Sequence, residues 1–420
     1  EICYKSLYKQ VCNFSSKLEY PKGTPISLFF ENSIEFVISY LGTLKSGCVA
    51  HIISPNINEN NLNEQLISTN PILLICSKKY FEPLLKNNFL KNKIITFENL
   101  LELPSKNNSN HIESDDMASL IYTSGTTSKP KGVGIKHSNI MFTTKNIFDV
   151  LGYSNNDVEV VPLPMSHSFG LGCLHNALFA GSTIILHKNS MNLLDIIKSV
   201  KTHNATSLAI VPTTITRMIR DFNNQFIENC SNLRLIITNS TKVPEDTVKK
   251  ILKLNTILFA TYYGLTEASR STFMIFNDNI EKISSVGKAA PGVSIKIEKD
   301  SGSNDGIIFI KGKNVIDKYW KNLDADKQIM NDWLMTGDIG TIDSEGFLFL
   351  AGRTDDMINI SGEKVMPQEI ENTVKILSGV EDAAAIGIPH DDFGQLVKLF
   401  VVKSPNSDLG ILDIKSHCKE

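Results

Sequence analysis

The chain has 420 residues, of which 42% are hydrophobic and 21% are charged. These proportions are typical of a soluble globular protein, and the length predicts two or more domains. The 42 Lys and Arg residues and the 45 Asp and Glu residues give a net charge of -3. No basic excess therefore indicates a nucleic-acid partner. No apolar stretch reaches the roughly 20 residues that a membrane-spanning helix needs.

Seven cysteines are scattered along the chain, and no two of them form a Cys-x-x-Cys pair. This pattern indicates reduced thiols and neither a disulfide framework nor a zinc site. The first ten residues, EICYKSLYKQ, are polar and do not resemble a signal peptide. We therefore expect a cytoplasmic protein.

Short apolar segments rich in β-branched residues alternate with segments of helical periodicity through most of the chain. The predicted strands of this part are 26–30, 48–54, 72–77, 119–124, 182–187, 207–212, 233–238 and 256–263. Helices are predicted at 33–47, 191–205 and 244–254. The alternation predicts an α/β fold with largely parallel, buried sheets and helices on both faces. Ligands of such sheets lie beyond the carboxyl ends of the strands.

The character of the sequence changes at about residue 284. Short strands separated by Gly and Asp turns predict a small β-rich subdomain there. A polar junction follows Arg353, and the segment behind it has a small α+β pattern. We predict a large N-terminal domain at 1–353 and a small, mobile C-terminal domain, incomplete in this sequence, at 354–420.

A polar and basic segment, YTSGTTSKPKGVGIKHSNI, begins within the predicted strand 119–124. Its hydroxyl groups, its glycines and the closely spaced lysines Lys129 and Lys131 could form a nest that binds an anion. The segment contains no Walker sequence, because no glycine directly precedes its lysines. A surface turn has the same composition. Taken alone, the segment leaves the two interpretations equally open.

The first part of that segment, YTSGTTSKPKGV, resembles the phosphate-binding signature of the adenylate-forming superfamily. Four later segments resemble other motifs of this family, and they follow in order: LPMSHSFG (163–170), YYGLTEA (262–268), WLMTGDIG (333–340) and GRTDDMINISGEKVMPQEIE (352–371). The resemblance spans nearly the whole chain and is to acyl-CoA synthetases and aryl-CoA ligases. It implies an enzyme that couples a carboxylic acid to AMP, releases pyrophosphate and passes the acyl group to the thiol of CoA.

The resemblance implies a site for the phosphates of ATP and for Mg²⁺. Glu267 would be the Mg²⁺ ligand, Thr266 would contact the α-phosphate, and Lys131 would supply positive charge. Without the resemblance, Glu267 would be interpreted as a helix cap. The other implied nucleotide-binding residues of the segment are Thr123, Ser124, Gly125, Thr126 and Thr127.

The rest of the nucleotide site is also implied by the resemblance. Tyr263 would pack on adenine, although a strand tyrosine is usually part of a half-buried core. Asp338 would accept hydrogen bonds from the ribose hydroxyls, since an ionised carboxylate can accept two. Arg353 would join Asp338 at the ribose.

Four residues correspond to family positions outside the nucleotide site. His167 would gate the acid pocket and the thiol tunnel, although a histidine in an apolar stretch is more often structural. Asp355 would be the hinge residue of the small domain. Gly362 and Lys364 would face the thiol tunnel during the second half-reaction.

The type of acid is only partly indicated. The stretch 164–167 contains no Asp that could bind a substrate amine, which disfavours amino acids. The polar residues Asn239 and Ser240 stand where many relatives have smaller ones, and they favour a short or polar acid. Arg270 would pair with a phosphate or a substrate anion, or it would be exposed, which is the commoner outcome for arginine.

The sequence leaves alternatives open for the acyl acceptor and for the C-terminal end of the chain. CoA is the expected acceptor, with an acyl carrier protein as the alternative, and a non-catalytic nucleotide-binding protein is the rival class. Relatives carry a catalytic lysine in a Gly-Lys segment near the end of the small domain, whereas this sequence ends in DIKSHCKE. We expect either that the natural chain continues or that the enzyme lacks this lysine.

Overall fold

The structure, a computed structural model, describes residues 1–106, 110–123, 130–188, 192–254, 256–299, 305–360, 363–390, 393–405 and 407–418. The chain divides into two compact units. The first contains Glu1–Ser294 and Lys311–Leu334, and the second contains Ile295–Ile310 and Met335–Glu420.

Two sheets form the framework of the first unit. The strands of one sheet are β1 (Pro25–Phe29), β2 (Val49–Ile53), β3 (Leu73–Cys76), β4 (Ile94–Thr96), β5 (Met117–Thr123) and β6 (Lys131–Lys136). Their order is β4-β3-β1-β2-β5-β6. Neighbouring strands are parallel, except that β5 and β6 are antiparallel.

The second sheet has seven strands, in the order β13-β12-β11-β10-β9-β7-β8. They are β7 (Val158–Val161), β8 (Thr183–Leu186), β9 (Ser207–Ala209), β10 (Leu235–Thr238), β11 (Leu258–Tyr263), β12 (Thr272–Ile275) and β13 (Lys288–Ala289). The five strands from β8 to β11 in this order are parallel, and β12 and β13 pair antiparallel. The predicted α/β fold with largely parallel sheets is confirmed.

Helices connect most of the parallel strands. Those of the first unit are α1 (Tyr4–Ser15), α2 (Ile34–Lys45), α3 (Glu59–Thr69), α4 (Lys78–Leu85), α5 (Phe97–Glu102), α6 (His137–Leu151), α7 (Ser168–Ala180), α8 (Leu193–Thr202), α9 (Pro212–Asp221), α10 (Asn223–Asn229), α11 (Glu245–Leu252) and α12 (Leu323–Asp326). The predicted helices at 33–47, 191–205 and 244–254 correspond to α2, α8 and α11.

Helix α2 shows how the sequence builds this core. It begins after Ser33, whose hydroxyl oxygen accepts a hydrogen bond from Phe36 N at 3.1 Å and so satisfies one of the free N–H groups of the first turn. Its apolar residues Phe36 and Tyr40 are buried, with ring centroids 6.0 Å apart. Each fully buried aromatic or aliphatic side chain stabilises the fold by about 1.5–3 kcal/mol.

The second unit is rich in β-structure, as the sequence predicted. Strand β14 (Val293–Lys299) lies beside β15 (Gly306–Gly312), which lies beside β17 (Trp333–Ile342), and β18 (Leu348–Arg353) is antiparallel to β17. The short β16 (Ile329–Met330) pairs with the start of β17, within the first unit.

The last part of the second unit has the predicted α+β character. Its elements are β19 (Ile358–Ile360), β20 (Glu363–Val365), α13 (Pro367–Lys375), β21 (Val380–His390), β22 (Gly394–Lys403) and α14 (Ile411–His417). The four strands form a sheet in the order β20-β19-β22-β21. The predicted boundary at Thr354–Asp355 coincides with a 3₁₀ turn, Thr354–Asp356, and the division into 1–353 and 354–420 stays a prediction.

In the described part of the chain, no helix combines the length and the apolar character that crossing a membrane requires.

Candidate active site

Strands β5 and β6 position the residues on either side of the polar segment. Thr123, the last residue of β5, is the register partner of Lys131, the first residue of β6. The Thr123 hydroxyl donates a hydrogen bond to the Lys131 carbonyl oxygen at 3.5 Å. Four of the predicted phosphate contacts, Ser124, Gly125, Thr126 and Thr127, and also Lys129, lie outside the described residues.

Gly132 allows β6 to approach its neighbours closely. A Cβ atom at this position would lie 2.9 Å from Cβ of Trp320 and 3.1 Å from the ring of Tyr122. The Gly132 carbonyl oxygen accepts a hydrogen bond from Trp320 N at 2.7 Å. Close packing and this hydrogen bond together fix the start of β6, and therefore the backbone of Lys131.

Lys131 and Glu267, both predicted from the sequence, are joined by two neutral side chains. Lys131 Nζ lies 3.4 Å from Oε1 of Gln328 and 5.7 Å from the ring centroid of Tyr319. The Tyr319 hydroxyl lies 3.0 Å from Oε1 of Gln328 and 3.2 Å from Oε1 of Glu267. It can donate its one proton to either oxygen. Neither Tyr319 nor Gln328 could be predicted from the sequence, because neither belongs to a motif.

The protonation of Tyr319 is set by its surroundings. Burial raises the pKa of its hydroxyl, and the nearby charge of Glu267 raises this pKa further. Tyr319 is therefore a neutral hydrogen-bond donor at physiological pH. It can hold the carboxylate of Glu267 without competing with it for a cation.

Glu267 and Thr266 lie in a tight turn between β11 and β12, beyond the carboxyl end of β11. Mutual backbone hydrogen bonds between Leu265 and Ala268, of 3.1 and 3.2 Å, close the turn. The Glu267 carbonyl oxygen accepts a hydrogen bond from Ile316 N at 3.0 Å. The turn therefore lies beyond the carboxyl ends of the parallel strands, which is the edge at which α/β sheets bind ligands.

Tyr263 is the last residue of β11 and is 7% exposed. Its neighbour Tyr262 is also buried and packs edge-on against Phe169, with the ring centroids 5.4 Å apart. The strand thus carries two adjacent buried tyrosines at the edge that leads into the Thr266–Glu267 turn.

His167 is the residue before the first turn of α7, and its backbone is extended, with φ of -113°. The residue is exposed in surface area. Enough protein surrounds its ring that desolvation lowers the pKa of the imidazole. The imidazole of His167 is therefore neutral at physiological pH. A residue that gates the path of an anionic substrate without binding the anion would have to be neutral.

The next residue, Ser168, lines a cleft that also contains Thr266. The further residues around this cleft are Ile121, Ile135, Asn139, Ile140, Thr143, Leu171, Gly172, His175, Ser269, Arg270, Asn314 and Ile316. Arg270 is only 3% exposed. The sequence-based expectation that an exposed Arg270 is the commoner outcome is wrong, because the turn folds the side chain inward beneath α7.

In the second unit, Asp338 and Arg353 are register partners on β17 and β18. Arg353 Nη1 lies 3.1 Å from Oδ1 of Asp338, which is 7% exposed. Gly337, the residue before Asp338, has a φ of +75°, a conformation that favours glycine. The Thr354 hydroxyl donates to the Gly337 carbonyl oxygen at 3.1 Å. The structure thus brings the two predicted ribose-binding residues together.

Asp355 is exposed in the turn Thr354–Asp356. Together with Arg353 it lines a cavity of about 510 Å³ within the second unit. Gly362 and the side chain of Lys364 lie outside the described residues.

Glu267 could hold a metal ion only if a bound molecule, such as a phosphate compound, supplied further oxygen atoms to coordinate it. Among the residues that the structure describes, no three His, Cys, Asp or Glu side chains come together as a metal site. Mg²⁺ is commonly held by one or two carboxylates plus phosphate oxygens and water. A single carboxylate near the start of β6 fits that arrangement.

The comparison with known families defines the class of the protein. The family described as AMP-binding enzyme matches residues 1–320, which include β5, β6 and the Thr266–Glu267 turn. The chain therefore belongs to the family of AMP-binding enzymes, as its ordered motifs predicted.

Individual relatives narrow the class. A 2-succinylbenzoate–CoA ligase of Oceanobacillus iheyensis is 27% identical over 420 residues, which cover 96% of this chain and 84% of the relative. ATP-bound MatB from Rhodopseudomonas palustris is 25% identical with a TM-score of 0.88, over 99% of this chain and 86% of that one. The predicted class, an AMP-forming acid–thiol ligase, is confirmed.

A third relative shares the fold. The o-succinylbenzoate CoA synthetase (MenE) from Bacillus subtilis, solved with its acyl-adenylate intermediate, is 24% identical with a TM-score of 0.86, over 99% of this chain and 86% of that one. The same enzyme has also been solved with ATP and a magnesium ion.

Proposed function

We propose that this chain activates a small carboxylic acid as its acyl adenylate and then transfers the acyl group to CoA. The observation that carries the proposal is the Lys131–Gln328–Tyr319–Glu267 cluster. It places a cation and a carboxylate on either side of two neutral groups, beyond the end of β11. Thr266 lies next to Glu267 in the turn between β11 and β12.

The reaction needs no nucleophile from the protein. A carboxylate is a poor acyl donor, because its leaving group would be oxide. Its oxygen attacks the α-phosphorus of ATP, the bond to the β-phosphate breaks, and pyrophosphate leaves with the electron pair. The CoA thiolate then attacks the acyl carbon, and AMP leaves. Catalysis is mainly positioning and the neutralisation of charge on phosphate oxygens.

The residues of the cluster suit that task. Lys131 Nζ supplies a positive charge beside the segment that follows β5, and Thr266 offers a hydroxyl donor to the α-phosphate. Mg²⁺ held by Glu267 would neutralise charge on the phosphates as pyrophosphate leaves. Tyr319 and Gln328 keep Glu267 and Lys131 apart and oriented, so that they do not neutralise each other in an ion pair.

The remaining sequence-derived roles are part of the proposal. Tyr263 would pack on adenine, and Asp338 with Arg353 would bind the ribose. The 3.1 Å ion pair supports the last role, because it orients the Asp338 carboxylate. His167, neutral at physiological pH, would gate the acid pocket.

For the second half-reaction we propose Asp355 as the hinge between domains at 1–353 and 354–420. Its position in a short exposed turn supports this role. Gly362 and Lys364 would face the thiol.

CoA is the proposed acceptor in place of a carrier protein, supported by relatives that are named CoA ligases. The cytoplasm, which supplies ATP and CoA, is the proposed location, and no nucleic acid is proposed as a partner.

A pyrophosphate-release assay tests the function. The full chain is incubated with ATP, Mg²⁺ and a panel of short, aromatic and medium-chain acids, including 2-succinylbenzoate. We expect acid-dependent pyrophosphate, and acyl-CoA only when CoA is present. ATP binding without pyrophosphate from any acid would show a non-catalytic protein, and acyl-AMP that accumulates despite added CoA would argue against CoA as the acceptor.

A further inference from the structure

The C-terminal end of α3 has backbone carbonyl groups that the helix itself cannot use, since the last four carbonyl groups of an α-helix lack an intrahelical partner. Asn70, in the left-handed conformation with a φ of +46°, ends the helix by donating its N–H to the Leu66 carbonyl oxygen at 2.8 Å. The Ser68 carbonyl oxygen accepts hydrogen bonds from two distant side chains, Trp320 Nε1 at 3.3 Å and Lys321 Nζ at 3.5 Å. The end of α3 is therefore tied to a segment more than 250 residues further along the chain.

This segment also contacts Glu267 and β6. The hydroxyl of Tyr319 lies 3.2 Å from Oε1 of Glu267. Trp320 N donates to the Gly132 carbonyl oxygen at 2.7 Å, at the start of β6. Lys321 has a φ of +48°, an unfavourable conformation for a residue with a side chain. Three consecutive residues thus connect Glu267, β6 and the end of α3.

The same end of α3 contacts β5 through Tyr122. The hydroxyl groups of Thr69 and Tyr122 lie 2.9 Å apart, and Thr69 is 1% exposed. The Tyr122 ring packs edge-on against the buried His51 ring, with the centroids 5.3 Å apart. Burial raises the pKa of the Tyr122 hydroxyl. The contact between Thr69 and Tyr122 is therefore a hydrogen bond between two neutral hydroxyl groups.

Both contacts of α3 act one residue away from predicted phosphate-binding residues. Thr69 holds the residue before Thr123, at the end of β5. Ser68, through the indole of Trp320, holds the residue after Lys131, at the start of β6. One helix end therefore fixes the spacing of the two strand ends on which Thr123 and Lys131 lie.

We propose that the C-terminal end of α3, through Ser68 and Thr69, is a positioning element for the phosphates of ATP. The two residues act through β5 and β6 and not by contact with the nucleotide. When their hydrogen bonds are lost, Thr123 and Lys131 shift, and a shift of about 1 Å caused by a distant substitution can lower a rate about 100-fold. The inference rests on the proposed function, because it takes the phosphates of ATP as the ligand of these strand ends.

A purely structural role for these hydrogen bonds predicts a different result. The paired hydroxyl of Thr69 is buried, so removing it lowers the stability of the fold in either case. A structural role leaves the affinity of the folded protein for ATP unchanged. A positioning role weakens that affinity even at temperatures where the variant is fully folded.

The test compares Thr69→Val with Thr69→Ser, which keeps the hydroxyl, and with the control Thr247→Val. Thr247 is a buried threonine on α11 whose hydroxyl donates to the hydroxyl of Thr216 at 3.1 Å. Isothermal titration calorimetry gives Kd for ATP, and pyrophosphate release gives KM for ATP. We expect Thr69→Val to raise both constants on the order of 10-fold, with KM for the acid unchanged. Thr69→Ser should stay near the wild type, and Thr247→Val should lower the melting temperature alone.

Tyr122→Phe removes the other partner of the same hydrogen bond, and it keeps the test decisive if Thr69→Val does not fold. It should raise Kd for ATP as Thr69→Val does. Because the two hydroxyl groups act as one pair, the double variant should bind ATP no more weakly than either single variant. Circular dichroism checks the folding of each variant.

Unchanged ATP affinity in the folded Thr69→Val and Tyr122→Phe variants overturns the inference and leaves the proposed function intact. A rise in Kd of the same size in Thr247→Val also overturns the inference. Wild-type protein that binds ATP but releases no pyrophosphate with any acid refutes the proposed function, and the comparison of Kd values then still decides the inference. Wild-type protein that does not bind ATP refutes both.

Discussion

The Tyr319 hydroxyl, placed between Glu267 and Gln328, shows how this site keeps its charges separate. Its distances of 3.2 and 3.0 Å to their Oε1 atoms connect Glu267 to Lys131 through neutral groups alone. A direct Lys–Glu pair would be self-neutralising, and ATP would have to compete with it. The separation therefore leaves both charges suited to a polyanionic ligand and its metal ion.

Glu267→Gln tests this arrangement at the scale of a single residue. The amide keeps the shape and one acceptor oxygen but removes the charge, so we expect kcat/KM for pyrophosphate release to fall on the order of 100-fold or more. The response to added Mg²⁺ should weaken as well. Glu281→Gln, at an exposed 3₁₀ turn, is the matched control. Unchanged Mg²⁺-dependent activity in Glu267→Gln would refute the assigned role.

Residues within motifs could be predicted from the sequence, whereas residues outside motifs could not. The motifs predict that Asp338 and Arg353 meet, and β17 and β18 place them in register. Gln328 and Tyr319 lie far along the chain from Lys131, and only the tertiary fold brings them to it. The burial of Arg270 was also unpredictable, because it depends on the packing of a turn against a glycine of α7.

At the scale of elements, β6 determines where Lys131 lies. Its sequence, KGVGIK, contains two glycines and a lysine at each end, so its apolar content is too low to predict a strand. The strand β6 forms instead because it pairs with the buried β5 and because Trp320 N donates a hydrogen bond to the Gly132 carbonyl oxygen.

The apolar strands of both sheets were predictable for the opposite reason, since continuous β-branched segments can be stable only when buried.

Gly132→Ala should displace the start of β6. The added methyl group would lie 2.9 Å from Cβ of Trp320 and 3.1 Å from the Tyr122 ring, and such overpacking destabilises by about 1–3 kcal/mol. We expect a lower melting temperature and a several-fold rise in KM for ATP. Gly410→Ala is the control, because its added methyl group would meet only the flexible Asp413 carboxylate. An unchanged KM for ATP in Gly132→Ala would show that β6 does not position Lys131 for the nucleotide.

At the scale of the whole molecule, two buried histidines make the fold sensitive to acid. Burial lowers the pKa of both His51 and His175 to about 3, whereas an unfolded histidine titrates near 6.5. Between these values the unfolded chain binds more protons than the folded one. Stability therefore falls as the pH drops through this window, on the order of 1 kcal/mol per histidine per pH unit.

Glu159 opposes this effect in part. Burial raises the pKa of its carboxyl group to about 7, so the folded chain holds a proton that the unfolded chain loses above about pH 4.5. Its contribution to stability therefore falls as the pH rises toward 7. With two histidines against one glutamate, we expect a lower melting temperature at pH 5 than at pH 7. Glu159→Gln should steepen this difference, and a wild-type protein more stable at pH 5 would contradict the account.

Transfer of ¹⁸O from the substrate tests the central claim most directly. The acid is labelled in its carboxylate, and the full chain is supplied with ATP, Mg²⁺ and CoA. If the carboxylate oxygen attacks the α-phosphorus, that oxygen remains on AMP when the thiol displaces it. Mass spectrometry should therefore find AMP with one ¹⁸O atom, together with unlabelled pyrophosphate. Unlabelled AMP, or ADP with labelled phosphate, would contradict an acyl-adenylate mechanism.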